Sequence, residues 1–396
     1  MTSFARIARL TSKSTRALTW LLLGLMVDGL LHTNLAVAID IVDAGEPATD
    51  PQPRYSVPAG PKIGRYIDRP DSFFLSPEGK QFVDNLVGWQ NPNGGWFKNI
   101  SYLNPRPVVL EDNPNSGPPG DDDKVWHQVS TFDNGCTYSE MRVLARAYRV
   151  LKEPTYRASF DRALDYCLAA QYPNGGWPQR YPLQNNYGAR ITFNDGAMTG
   201  VMAVLRDIFE QQPDFVFCTD ARRQQAKQAF DRGVDCILNC QYVRNGKLTV
   251  WAQQHDEHTF APAGGRAFEL AGLTANESTD VLELLEGIKQ PDERIRNSIE
   301  AAHAWYESSK ILGKRISFVQ GVGRTMIDDP TAPPLWARFY DPETNQPFVA
   351  GRDGVARARL DQILPERRNG YSWFSAASGR KAEDDYQAWK ARIAPP

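Results

Sequence analysis

The chain has 396 residues, 45 of them Lys or Arg and 47 Asp or Glu, for a formal net charge of −2. With 41% hydrophobic and 23% charged residues it has a globular composition, which excludes a disordered tail or a fibre. The charge balance excludes a polycation built to coat nucleic acid, so any polyanion has to meet a local basic patch.

The first segment reads as a secretory signal. Arg6, Arg9, Lys13 and Arg16 form a basic region, Leu18 to Leu31 is an apolar run, and Ala36-Val37-Ala38 offers a cleavage site. An uncleaved anchor is the other reading, but Asp28 interrupts the run, which is short for a bilayer span. Cleavage after residue 38 leaves a mature charge of −5 and a secreted or periplasmic protein. Residues 39–75 are rich in Pro, Asp and Gly and read as a loose lead-in. A single catalytic domain then fills 76–396.

Helical periodicity follows over 138–151, 156–171, 198–211, 223–241 and 292–310. Strand-like alternation is scarce, and Lys247–Gln253 is the best case. Five cysteines, Cys136, Cys167, Cys218, Cys236 and Cys240, make an odd number in a long chain and read as buried small hydrophobes rather than a disulfide framework.

An internal repeat runs through these helices. WQNPNGGWFKN (89–99) matches AAQYPNGGWPQR (169–180), and NCQYVRNGKLTVWAQQ (239–254) is a weaker copy. Gln90, Gln171 and Gln241 each follow a helical run and lead into a Gly turn and a Trp. Repeated helix–turn units predict a mainly α fold, a helical toroid-like (α/α) arrangement with long irregular loops and few short strands. A second echo pairs STFDNG (130–135) with ITFNDG (191–196), each just before a helix. Asp and Asn there suit helix capping. They equally suit a pair of oxygen ligands for a hard cation such as Ca²⁺, with Asp133 and Asp195 as the acids.

On these residues the chain resembles the pectate lyases of polysaccharide lyase family ten. The matching stretches are WQNPNGGWFKN, STFDNGCTYSEMRVLARAY, QYPNGGWPQRYPL, ITFNDGAM, WAQQHDEHTFAPAGGRAFE, PLWARFYDPETNQPFVAGRDG and ERRNGYSWF, in family order from Trp89 to Phe374. The resemblance implies an α toroid around a wide groove that cleaves polygalacturonate by Ca²⁺-dependent β-elimination. It implies Asp133 and Asp195 as holders of Ca²⁺, Arg352 (in GRDG) as the base, and Arg266 and Arg338 as contacts to substrate carboxylates. Gly196 departs from an expected Asp or Asn, Ala263-Gly264-Gly265 replaces a bulkier stretch, and Cys136 takes the place of a small residue.

The chemistry asks for such groups. The C5 proton of a uronate is weakly acidic because its anion spreads into a carboxylate already negative. A bound cation and bidentate arginines would meet that charge. An arginine base needs help from neighbouring positive charge and burial, and predicts an alkaline optimum. From the residues alone, His255 and Lys98 compete with Arg352 for that role. Trp177 and Arg368 are further candidate substrate contacts, with Trp177 as a sugar platform or a packing residue and Arg368 in the groove or in a solvated turn. The His255–His258 run resembles a metal cluster, but neighbours on a strand face opposite ways. The expected partner is a polygalacturonate chain met by a monomer, with no nucleic acid and no membrane after signal cleavage. The competing readings are an α-toroid glycosidase, which needs two opposed carboxylates, and a non-catalytic binder of acidic polysaccharide. A terpene-cyclase-like toroid finds only Asp121-Asp122-Asp123, among Pro and Gly.

Overall fold

Apolar residues at helical spacing build eleven helices among the described residues, 63–98, 100–106 and 129–393 of a computed structural model. The candidate signal segment and Asp121–Asp123 lie outside those residues. Helices α1 (Gly64–Ile67) and α2 (Asp71–Leu75) stand where a loose lead-in is expected. They are anchored by aromatics: Tyr66 stacks on Phe82 at 3.9 Å between ring centroids, and Phe74 is fully buried. Helix α3 (Pro77–Gly88) starts on the Ser76 side chain, which accepts from the Gly79 amide at 3.0 Å, with Pro77 in the first turn.

Three helical hairpins follow. They are α4 (Tyr138–Leu151) with α5 (Pro154–Ala169), α6 (Ala197–Phe209) with α7 (Asp220–Cys240), and α8 (Ala275–Glu286) with α9 (Glu293–Ser308). Helix α6 packs against both α4 and α8, which gives an inner row α4–α6–α8 backed by α5, α7 and α9. The short α10 (Pro365–Gly370) and the C-terminal α11 (Ala377–Ile393) complete the set, and α11 packs on α8 and α9 through Ala382 and Trp389. The fold is mainly α, a helical toroid-like arrangement with few short strands.

The repeat is the frame of this arrangement. Gln90 Nε2 donates to Gly94 O in its own turn and to Ser159 O on α5. Gln171 does the same to Gly175 O and to Ala229 O on α7, and Gln241 to Thr249 O and to Ser298 O on α9. The Trp of each copy donates its indole N–H back to the preceding helix: Trp96 to Leu86 O, Trp177 to Cys167 O, Trp251 to Ile237 O, at 2.8–2.9 Å. These bonds satisfy carbonyls near a helix end that have no partner within the helix. Gly175 sits at φ 92°, and a Cβ there would come within 2.0 Å of Arg232 O, so the turn meets the next helix through bare backbone.

The strand expected over Lys247–Gln253 forms only at Lys247–Leu248, paired with Val243–Arg244 around Asn245-Gly246. The longest strands described, Lys314–Val319 and Gly323–Asp328, make a hairpin with Phe318 exposed near its tip. All five cysteines are free and buried.

Candidate active site

Three inner helices start at one end of the ring, each after the same backbone step. The amides of Thr131, Thr192 and Thr274 donate to the carbonyls of Trp96, Trp177 and Trp251 at 2.8–3.0 Å. Beyond the first two lie one-turn 3₁₀ helices, Asp133–Gly135 before α4 and Asn194–Gly196 before α6. Phe132 and Phe193, both buried, anchor them by donating to Gln179 O and Gln253 O. The two turns pack side by side, which brings Asp133 and Asp195 together.

The two acids have different surroundings. Asp133 is buried, donates its amide to Thr131 Oγ1 at 3.0 Å, and forms an ion pair with Lys98 through Oδ2. Its Oδ1 is buried with no hydrogen-bond partner among the described residues. Burial pushes the Asp133 carboxyl up, but Lys98, Gln179 and Arg180 outweigh it and hold the group below the usual carboxylate range. Asp195 is exposed on one side and accepts from Asn194 Nδ2 at 2.9 Å. Desolvation, then the neighbouring Asp133 and Glu277, raise its pKa. Such a pair of carboxylates, with one buried oxygen left without a partner among the described residues, has the chemistry of a hard-cation site. Among the described residues no group of three or more His, Cys, Asp or Glu gathers to hold a metal. The two acids would therefore supply part of a coordination sphere, with the rest left to water and a ligand's own oxygens.

Arginines continue the site. Arg338 Nη2 donates to Glu277 Oε1 at 2.7 Å and to Asn194 Oδ1 at 3.4 Å, so it is held beside the Asp195 turn. Burial works against its charge, but Glu277, Tyr371 and Asp195 carry its pKa up. Its guanidinium lies 4.6 Å from the Tyr371 ring centroid. Tyr371 Oη donates to Glu269 Oε1 at 2.8 Å, and Glu269 receives both Nε and Nη2 of Arg266. Arg266 then overlies Phe268 at 4.8 Å, and the same ring is shared by Arg367 at 4.5 Å and Arg352 at 5.6 Å. Glu366 accepts from both Arg352 and Arg367, which together pull its carboxyl down to about 2, Arg367 more strongly. Arg352 is largely exposed.

Two expected substrate contacts are corrected. Trp177 is 0% exposed, with its N–H bonded to the α5 carbonyl of Cys167 and its ring against Gly233 of α7. It packs the ring of helices and offers no face to a sugar. Arg368 is buried under the hairpin and donates to Val322 O, so it ties the hairpin down. His255 is also buried. Its Nε2 accepts from the Ala252 amide, Nδ1 bonds Phe260 O, and desolvation lowers its pKa to about 4. Asp256 caps the turn to Thr259 and His258 is exposed, so that run is not a metal cluster.

A family model described as pectic acid lyase matches residues 90–381. The chain belongs to the pectic acid lyase family. Its structure is similar to the family 10 polysaccharide lyase from Cellvibrio cellulosa, at 29% identity over 84% of this chain and 97% of that one, with a TM-score of 0.69. It is likewise similar to a mutant of that enzyme in complex with trigalacturonic acid, at 30% identity over 82% and 98%, with a TM-score of 0.68. No curated protein matches the chain. Membership of the pectic acid lyases and these neighbours support polysaccharide lyase activity.

In this pectic acid lyase three side chains of the site carry no signal of their role in the sequence patterns above. Glu277, Glu269 and Tyr371 orient Arg338 and Arg266; Glu269 and Tyr371 lie within the stretches GGRAFE and ERRNGYSWF, but nothing in those stretches marks them as partners of an arginine. A signal for Glu277 exists. Thr274 and Glu277 stand in the T-x-x-E pattern of a helix start, and the Thr274 hydroxyl bonds the Glu277 carboxylate.

Proposed function

We propose that this lyase is a pectate lyase that cleaves polygalacturonate by Ca²⁺-dependent β-elimination. The observation that carries the reading is the Asp133–Asp195 pair flanked by half-buried Arg338. Asp133, whose buried Oδ1 has no partner among the described residues, and Asp195, raised by burial and then by its neighbour Asp133, fit a Ca²⁺ ion. Held there, Ca²⁺ would neutralise the uronate carboxylate next to C5 as a Lewis acid. Arg338 and Arg266 bind and orient substrate carboxylates through charge-assisted hydrogen bonds, each already fixed by a glutamate and the Tyr371 ring.

In this reading Arg352 takes the C5 proton on a guanidine nitrogen. The C5 electron pair forms the C4–C5 double bond, and the C4–oxygen bond breaks to release the chain end, which takes a proton from water. Support for Arg352 comes from its place beside Arg266 and Arg367 on the Phe268 ring, where three positive charges crowd together. Glu366 is shared, and its closer contact to Arg367 lets it leave Arg352 without losing a partner. Residues 1–38 act in this reading as an export signal, and the enzyme works as a monomer in a secreted or periplasmic compartment.

The opposite pKa directions of Asp133 and Asp195 also suit the acid and base of a hydrolase. The product separates the two. The protein is incubated with polygalacturonate at alkaline pH, with CaCl₂ or with a chelator. Ultraviolet absorbance from an unsaturated uronide that needs Ca²⁺ is the expected result, and Arg352→Ala abolishes it. Reducing ends without that absorbance would overturn the lyase reading.

A further inference from the structure

We infer that Tyr138 is a positioning residue that sets the Asp195 turn for the cation, an inference that rests on the calcium-dependent reading above. Tyr138 opens α4 directly after the Asp133 turn, yet its hydroxyl donates across to the carbonyl of Asp195 at 3.3 Å. One side chain therefore joins the two turns that carry the acids. The backbone before it is strained to allow this. Thr137, β-branched, sits at φ 66° and ψ −55°, a conformation such residues avoid. Its hydroxyl is locked, donating to Thr131 O at 2.8 Å and accepting from the Trp96 amide at 3.2 Å.

The far side is cleared for the ring. A Cβ at Gly200 on α6 would stand 2.3 Å from Tyr138 Cζ, so only glycine lets the ring lie against that helix. A Cβ at Gly196 would come within 3.0 Å of the Tyr138 hydroxyl. Asp195 itself holds φ 51°, a left-handed conformation that a non-glycine residue keeps only with support. A hydrogen bond to its own carbonyl fixes the peptide plane there, and with it the direction in which the carboxylate leaves the backbone.

Tyr138→Phe keeps the ring and removes only this bond. In activity assays on polygalacturonate, the CaCl₂ concentration for half-maximal rate rises about threefold to tenfold, the scale of one neutral hydrogen bond. The rate at saturating CaCl₂ stays within about twofold. Calorimetric titration of CaCl₂ into Arg352→Ala protein holding trigalacturonate shows the same weakening when Tyr138→Phe is added. Gly196→Asn, which tolerates a left-handed backbone, weakens calcium in the presence of Tyr138 and less so in Tyr138→Phe. An unchanged calcium requirement in Tyr138→Phe, with wild type calcium-dependent, overturns the assignment of Tyr138 alone. A wild type whose activity ignores calcium overturns the functional reading as well.

Discussion

Asn134 and Asp195 share one backbone conformation, φ 55° and ψ 33° against φ 51° and ψ 28°, in two turns whose acid and amide are written in opposite order. The turn therefore accepts either residue type at this position. Asp195→Asn removes a charge without disturbing the fold, since Asn adopts left-handed backbone as readily. The expected outcome is an unchanged melting temperature and a loss of roughly a hundredfold in kcat/KM, with more CaCl₂ needed. A parallel fall in melting temperature would instead make Asp195 a structural cap.

Glu140, in the first turn of α4, is buried and among the described residues has no positive partner; Tyr102 Oη donates to its Oε1 at 2.6 Å and its Oε2 meets no described donor. Burial raises its pKa from 4.5 to about 7. Between those values the folded protein keeps a proton that the unfolded chain has lost. Stability therefore falls as pH rises from about 4.5 to about 7, and then levels off. Glu140→Gln removes this fall and stabilises the protein at pH 9 by about 1–3 kcal/mol, with little gain at pH 4. Urea unfolding at the two pH values checks it.

Arg338 is the cation that compensates Glu277, which is 1% exposed and otherwise held by Gln253 and Thr274. Arg338→Ala leaves that carboxylate unpaired and destabilises the protein by about 3 kcal/mol, beyond any loss of activity. Adding Glu277→Gln recovers most of the stability and none of the activity. Thermal unfolding of the single and double variants separates the two roles.

Trp177 packs between α5 and α7, so its replacement is felt in stability. Trp177→Phe loses an indole bond and opens a cavity, at about 2–4 kcal/mol. At a temperature where the variant is folded, KM for polygalacturonate stays at the wild-type value. A raised KM at unchanged stability would restore Trp177 to the groove.

Local signals were enough to place much of this molecule. The spacing of apolar residues predicts 138–151 as helix, and α4 has those bounds. The repeated Gln and Gly–Trp pattern predicts a helical ring because each copy uses the same bonds over the same short span. Asp133 and Asp195 are legible because their motifs echo each other. Long-range partners were not legible. Trp177 reads equally as platform or packing until Gly233 of α7 is found against it. Arg368 looks solvated in sequence because its partner, Val322 O, lies 46 residues away. Glu277 was hidden by a change of form. It stands three residues after Thr274, as Asn134 and Asp195 stand after Thr131 and Thr192, but α8 starts at once and the intervening turn is gone. The hairpin at 314–328 and α11 lie outside the repeat, and only their own periodicity could announce them.

Each frame glutamine donates its amide to a main-chain carbonyl on the helix it reaches, that of residue 159, 229 or 298, while Gln90 Oε1 also accepts from Ser159 and Arg162 and Gln171 Oε1 accepts from Arg232. A contact to a carbonyl does not depend on what side chain that residue bears, provided it is small, and Ser, Ala and Ser occupy the three places. The donated bond therefore survives changes of side chain on the outer helices, whereas the bonds from Arg162 and Arg232 do not. Mutational tolerance should be higher at the exposed positions of α5, α7 and α9 than at the glutamines and the arginines that meet them, so that a lineage built on this ring can change its chemistry by editing loops and leave the hoop beneath them intact.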